Sequence, residues 1–429
     1  MKGILSDNSD YEASEIIPVV AGEKLTISNV PLVEVRHAFY SAANNFIKGA
    51  VSVPMPLTAT QDGYFRFSYR IGGKPMIEKG EIATTYEPYK EILKGVTIEG
   101  TDTGSGNNDF KVNFTLSPKI YGVVGQELNI YFKNIIDQKD TSLDFDVSSS
   151  FGKQMTDRLT GVPEQATTTT IGISAYKDHE QVGAGSTSLV TTNIATKDVK
   201  VLYFGDSTVN AGGVTKRLLD LYSAESSSLT LLGTRGLDST NRYEGRGGWS
   251  GVTYRTPTEI YGAGNPFYNP AKSDFDFNYY MTQQGYSGLD HFIIQLGIND
   301  TFGMTSDETL QTKIDTILSD FDYIINDVKS YDSNIKVGMT VTIPPNASQD
   351  AFGTVYGTGQ TQWRYKRNNA LWVPRLIDHY KDKESQGIYL VPMQHNIDTV
   401  NNIADGVHPT QTGYDQMGDS VYAYLKNIG

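Results

Sequence analysis

Five stretches in the second half of the chain are continuously apolar over the length of a strand: "VKVLYF" (199–204), "LTLLG" (229–233), "HFIIQLG" (291–297), "IKVGMTVTI" (335–343) and "GIYLVPM" (387–393). A strand with one wet face alternates apolar and polar residues, so an uninterrupted run requires cover on both faces. The segments between the runs carry helical periodicity. The clearest spans about 306–330, with Leu310, Ile314, Ile317, Leu318, Phe321, Ile324, Ile325 and Val328 at three- and four-residue steps. Thr305 and Glu308 stand at capping-box spacing before it. A last helix over 411–427 places Tyr414, Met417, Val421, Tyr424 and Leu425 on one face. Strands alternating with helices predict a three-layer α/β domain around a parallel sheet of five strands. In such sheets ligands bind beyond the carboxyl ends of the strands.

The first half differs in kind. Short alternating stretches such as "KLTISNV", "AVSVPM" and "YFRFSYRI" fill residues 1–95 and predict an all-β, jelly-roll-like module for attachment or carbohydrate binding. A second β-rich region, 96–196, contains "DFKVNFTLS", "ELNIYFKNII" and "TTTTIGISAY" and predicts a β-sandwich. The polar stretch "EGTDTGSGNNDF" reads as the joint between the two, and the α/β domain is expected over 197–429. Tyrosine, at 27 residues against 17 Phe and 3 Trp, suits exposed sheet and also sugar-contacting surfaces.

Composition narrows the chemistry. A net charge of −13 would repel a phosphate backbone, which argues against nucleic acid as a partner. No run approaches the roughly 18–20 apolar residues that span a bilayer. The absence of cysteine removes disulfides, thiolate metal sites and cysteine nucleophiles together. The amino terminus turns polar after five residues, so no signal peptide is expected.

The triplet Gly-Asp-Ser occurs twice, at 205–207 and 418–420. Ser207 sits just past the first strand, where a hydroxyl projects into the ligand crevice. Ser420 falls inside the final helix and is expected to be a solvated helix serine. A nucleophilic serine needs a base oriented by a third group. Of the six histidines, His37 and His179 lie in the β half, His291 begins a strand at its far end, and His379 sits near a helix end. His395 lies just past the last strand. His408, in "NIADGVHPTQ", has Asp405 three residues before it, with Gly406 and Pro409 favouring a turn. Acyl transfer also needs donors for an oxyanion. "IIQLGIND" brings Asn299 to the same sheet edge, and the glycines of "YEGRGGWSG" allow a backbone N–H to approach a ligand.

These four segments, in this order, resemble the SGNH hydrolase family, also called GDSL-type esterases. The resemblance covers about 197–429 and implies a flavodoxin-like arrangement of the five-stranded parallel sheet. It implies Ser207 as nucleophile, His408 as base and Asp405 as its orienting partner. The oxyanion donors it implies are the N–H groups of Ser207 and Gly248 and the side chain of Asn299, with Gly245 and Gly247 as alternatives to Gly248. Gly297 takes a structural role and Trp249 is expected to contact substrate. No metal and no cofactor are implied. Thr208 stands where the family often has leucine, a change shared with polysaccharide-directed members.

The implied activity is hydrolysis of O-acyl, foremost O-acetyl, esters on a carbohydrate or host cell-surface polysaccharide. A lipase or thioesterase of the same fold is the alternative enzyme, and a non-catalytic polysaccharide-binding adhesin the alternative of another class. "KGEIATTYEPYKE" is similar to segments of phage tail and receptor-binding proteins of Gram-positive hosts. "LSPKIYGVVGQELNIYFKNI" is similar to the β-sandwich preceding some carbohydrate-directed SGNH esterases. That likeness places the protein outside the cell or on a virion, and as a tail protein it would assemble as a trimer.

Overall fold

A computed structural model describes residues 110–429 apart from 138–141, 261 and 263, and before them 11–13, 17–28, 36–41, 46–51, 57–70 and 76–79. The chain divides into two compact units, residues 1–106 and 107–429. "EGTDTGSGNNDF" up to Asn108 and Asp109, and "KGEIATTYEPYKE" beyond Lys79, lie outside the described residues. The described part of the first unit is all β. Gly63–Arg70 is the hub of one antiparallel sheet, pairing with Tyr11–Ala13, Ile17–Val19 and Arg36–Ser41, and Lys24–Ser28 is the centre of a second.

The second unit begins with two facing sheets. One contains Leu128–Tyr131, Arg158–Gly161 and Lys153–Gln154. The other is built on the long hairpin Thr168–Lys177 and Glu180–Thr192, edged by Asp144–Ser148 and by Lys119–Val123. Ile120, Leu128, Ile130, Phe132, Leu159, Ile171, Ile173 and Leu189 fill the space between the sheets, so the pair is a sandwich with its own core.

All five runs predicted as buried strands form one sheet: β1 (Val199–Gly205), β2 (Leu229–Leu232), β5 (His291–Gln295), β6 (Lys336–Thr340) and β7 (Ile388–Val391), with β3 (Arg235–Gly236) and β4 (Arg242–Gly245) in addition. The order is β3-β4-β1-β5-β6-β7, with β2 also on β1. The sheet therefore has seven strands and is mixed, not five and purely parallel. β2 covers the first half of β1, then β4 takes over beside its carboxyl end, pairing Phe204 with Glu244 and Gly205 with Gly245. β3 folds back antiparallel on β4. Both faces are covered, as the apolar runs require: one by the helices 277–284, 307–331 and 362–380, the other by 213–224 and 411–428.

Two local expectations change. The helix Asp307–Tyr331 buries every apolar residue of the predicted stripe, but its cap is Ser306, whose hydroxyl accepts from Thr309 N at 3.1 Å, and not Thr305. Ser420 is 7% exposed and so is not solvated. The sandwich strand Lys119–Val123 packs on the last helix and covers a face that sequence periodicity assigns to water. The Ser420 hydroxyl donates back to Gln416 O at 3.3 Å.

Candidate active site

The strand β1 is buried from Val201 to Phe204 and ends at Gly205. Asp206 then caps a four-residue helix, Ser207–Asn210, accepting from Thr208 N at 2.9 Å and from the Thr208 hydroxyl at 2.6 Å. This sharp change of direction turns Ser207 out of the buried layer. At the other end of the chain, the turn 403–409 closes on itself: Ile403 bridges Pro409, and Ala404 N donates to His408 O at 2.8 Å. Within it the Asp405 carboxylate accepts from the backbone N–H of Val407 and of His408, both at 2.8 Å. Its second oxygen lies 2.8 Å from His408 Nδ1, and His408 Nε2 lies 2.8 Å from Ser207 Oγ. An ionised carboxylate only accepts, so Nδ1 carries the proton and Nε2 is left to accept from the serine hydroxyl.

Electrostatics follow from this geometry. Partial burial works against the Asp405 carboxylate, but the bonds from the His408 ring and the two backbone N–H groups outweigh it and hold its pKa below the ordinary value. The bond to Asp405 raises the His408 pKa; partial burial opposes this, and the charges of Asp405 and Asp206 reinforce it. Under the serine, Tyr203 donates to Gln295, Gln295 to Thr208, and Thr208 to Asp206, a buried line of hydrogen bonds. Asp206 is fully buried with Oδ2 unpartnered, and desolvation pushes its pKa up to about 6 despite the Thr208 bonds.

The glycine segment is held from beneath. Arg246 N donates to Gly205 O at 2.9 Å, tying the segment to the end of β1. The Arg246 guanidinium forms a buried ion pair with Glu244, which also accepts from Tyr280 OH at 2.8 Å. Tyr254 OH reaches both Gly205 O and Glu244 O, at 2.6 and 2.8 Å. Gly245 ends β4 against the turn after Ser207, where only glycine fits, since a Cβ there would lie 2.2 Å from Asn210 N. Gly248 is exposed, with φ +79°, a conformation that favours glycine, and its N–H has no partner among the described residues. The Trp249 side chain, expected to contact substrate, is buried. It is 0% exposed, packed edge-on against Tyr254 with centroids 4.7 Å apart and with the Arg246 guanidinium 5.3 Å from its ring.

Asn299 stands on a short helix after β5 and donates through Nδ2 to Trp249 O at 2.9 Å. The amide has two N–H groups, so one remains for a ligand. Asp300 braces the two segments: its oxygens accept from Gly251 N at 2.9 Å and Gly297 N at 3.0 Å. Burial pushes its pKa up to about 7, with the backbone bonds opposing and the Asp206 charge adding.

Ser207, His408 and Asp405 thus form a continuous hydrogen-bonded line, and Asn299 and Gly248 are joined through the Gly248–Trp249 backbone. The bracing residues Glu244, Arg246, Asp206 and Asp300 were not singled out in the sequence, although all four lie inside or beside the quoted segments. Only Asp206 carries a local signal, a charged residue directly after a buried strand. His395, by contrast, is buried, neither ring nitrogen has a partner among the described residues, and it lies apart from this line. Among the described residues, no group of three or more His, Asp and Glu side chains is placed to hold a metal ion.

A protein-family model described as GDSL-like Lipase/Acylhydrolase matches residues 201–421. Among curated proteins no relative matches the chain. Among solved structures, a Clostridium thermocellum family 3 carbohydrate esterase is similar at 16% identity and TM-score 0.37, over 54% of this chain and 96% of its own. A family 3 carbohydrate esterase from Talaromyces cellulolyticus is similar at 16% identity and TM-score 0.34, over 54% and 97%. A carbohydrate acetylesterase from Sinorhizobium meliloti is similar at 15% identity and TM-score 0.34, over 54% and 100%. Likenesses this distant say nothing of the substrate of this chain.

Proposed function

The chain belongs to the GDSL-like lipase/acylhydrolase family and is an esterase, and on that premise we propose that Ser207, His408 and Asp405 are its catalytic residues. The observation that carries the reading is the line from Ser207 Oγ through His408 to Asp405, each step 2.8 Å, at the carboxyl edge of the sheet. In the first half-reaction Oγ attacks the ester carbonyl while Nε2 of His408 takes its proton. The carbonyl π electrons move onto oxygen as the new C–O bond forms. In this reading the N–H groups of Ser207 and Gly248 and the second N–H of Asn299 donate to that oxyanion. Collapse expels the alcohol, which takes the proton from His408, and leaves an acyl-enzyme. Water, deprotonated by His408, then releases the acid and restores Ser207. Asp405 stays ionised throughout and stabilises the imidazolium.

As the finer reading, the substrate is an O-acetyl ester on a carbohydrate. The His408 side chain is 37% exposed, which suits a bulky alcohol part arriving from solvent. The attachment role of residues 1–95 and a place on a virion rest on sequence resemblance. The test is acetate release from p-nitrophenyl acetate and from acetylated glycans. Ser207→Ala should lower kcat by about 10⁴ or more while Ser420→Ala leaves it unchanged. Hydrolysis by Ser207→Ala at the wild-type rate would remove the triad assignment. Preference for long-chain over acetyl esters would instead indicate a lipase or thioesterase.

A further inference from the structure

Two of the three proposed catalytic residues, Asp405 and His408, are carried by an irregular stretch between β7 and the helix 411–428. Irregular buried backbone has no ladder to satisfy its carbonyl groups, so partners must come from elsewhere. For the first part of this stretch they come from the β-sandwich. Asn134 lies on a 3-10 turn, Phe132–Asn134, fixed in the sandwich by Phe132 and Ile135, both 0% exposed. Its own side chain is buried and points the other way, into the catalytic domain. Nδ2 donates to Gln394 O at 2.9 Å and to Ile397 O at 2.7 Å, and Oδ1 accepts from the Thr399 hydroxyl at 3.2 Å. All three hydrogen bonds go to residues 394–399. Beside them, Tyr131 N donates to His395 O at 2.9 Å and Asn129 N to Asn396 Oδ1 at 2.9 Å.

The far end of the stretch is held by a second asparagine. Asn346 donates through Nδ2 to Ile403 O at 2.8 Å and through its backbone N to Gly406 O at 3.0 Å. The two clamps meet at Thr399, whose carbonyl accepts from Ala347 N at 3.0 Å and whose hydroxyl meets Asn134. We propose that Asn134 is a positioning residue for the esterase reaction: through residues 394–399 the sandwich holds the loop that presents Asp405 and His408, so the sandwich is a working part of the catalytic centre. This rests on the triad reading above. Reactions of this kind are sensitive to placement, and a shift of about 1 Å remote from the chemistry can cost on the order of 100-fold in rate.

The test compares Asn134→Leu and the milder Thr399→Val with wild type in the full chain, using p-nitrophenyl acetate and correcting for folded fraction by near-ultraviolet circular dichroism. Asn427→Ala is the control, since it cuts a different sandwich contact, Asn427 Nδ2 to Gly122 O at 3.0 Å, away from the loop. Asn134→Leu should lower kcat by about tenfold with KM within about twofold, and Thr399→Val should lower it by about threefold. The acid limb of the kcat/KM profile should also move to lower pH, because a loosened Asp405 no longer raises His408 while Asp206 stays in place. Loss of folded protein alone would not move that limb. Wild-type kcat and an unmoved limb in both variants would overturn the proposal, as would an equal loss in Asn427→Ala. If Asn134→Leu does not fold, Thr399→Val decides. Should Ser207→Ala remain active, the triad reading fails; should Ser207→Ala be dead while Thr399→Val and Asn134→Leu are normal, only the positioning role fails.

Discussion

At the scale of single residues, titration separates the two kinds of carboxylate in the site. Asp405 is ionised and raises His408 above the ordinary imidazole value of about 6.5. Catalysis needs neutral His408, so kcat/KM should fall as pH drops through that raised value. Asp405→Asn should move the limb to lower pH and lower the plateau by about 10³–10⁴, measured as a pH–rate profile. Asp206 and Asp300 behave oppositely, with folded pKa values pushed up to about 6 and about 7 from 3.8. Between those limits the folded chain holds protons that the unfolded chain has released, so their contribution to stability declines as pH rises from about 4 to 7. Asp206→Asn keeps the acceptor for Thr208 and removes the buried charge. Its stability relative to wild type should improve by on the order of 2 kcal/mol between pH 4.5 and 7.5, read by thermal unfolding. An unchanged difference between those pH values would refute that account. The meeting of Ser207, Asp405 and His408 in one hydrogen-bonded line was legible because strand ends and a three-residue spacing are local signals. Trp249 and Ser420 were not, because the first is buried in a core shared with Phe321 and Trp372 and the second lies under a strand of the sandwich, all remote in sequence.

At the scale of elements, the five long strands could be read because a doubly covered strand writes its burial into its composition. β3 and β4 could not: they have two and four residues, and Arg242, Glu244 and Arg235 do not look like a sheet. What makes β4 a strand is the tertiary network beneath it. The Glu244 and Arg246 side chains are 0% and 4% exposed, and each satisfies the other. Glu244→Gln leaves a buried guanidinium without its counter-charge and should cost about 3–5 kcal/mol in denaturant unfolding. Replacing both, as Glu244→Leu with Arg246→Met, should recover much of that loss. A single variant no less stable than wild type would show that the pair does not brace the glycine segment.

At the scale of the whole second unit, the catalytic sheet and the sandwich share more than a covalent link. The last helix is covered by Lys119–Val123, and the loop bearing His408 is held from Asn134. Sequence patterning shows two modules there, because periodicity reports each element's own faces and not which module covers them. A serine nucleophile carries the acyl group in mid-reaction, and in the proposed mechanism that residue is Ser207. Rapid acid quench of the full chain during turnover of p-nitrophenyl acetate, followed by peptide mass spectrometry, tests this most directly. One acetyl group is expected, on the peptide containing Ser207, and none in Ser207→Ala. Acetylation confined to another residue, or equal labelling of the Ser207→Ala variant, would contradict it.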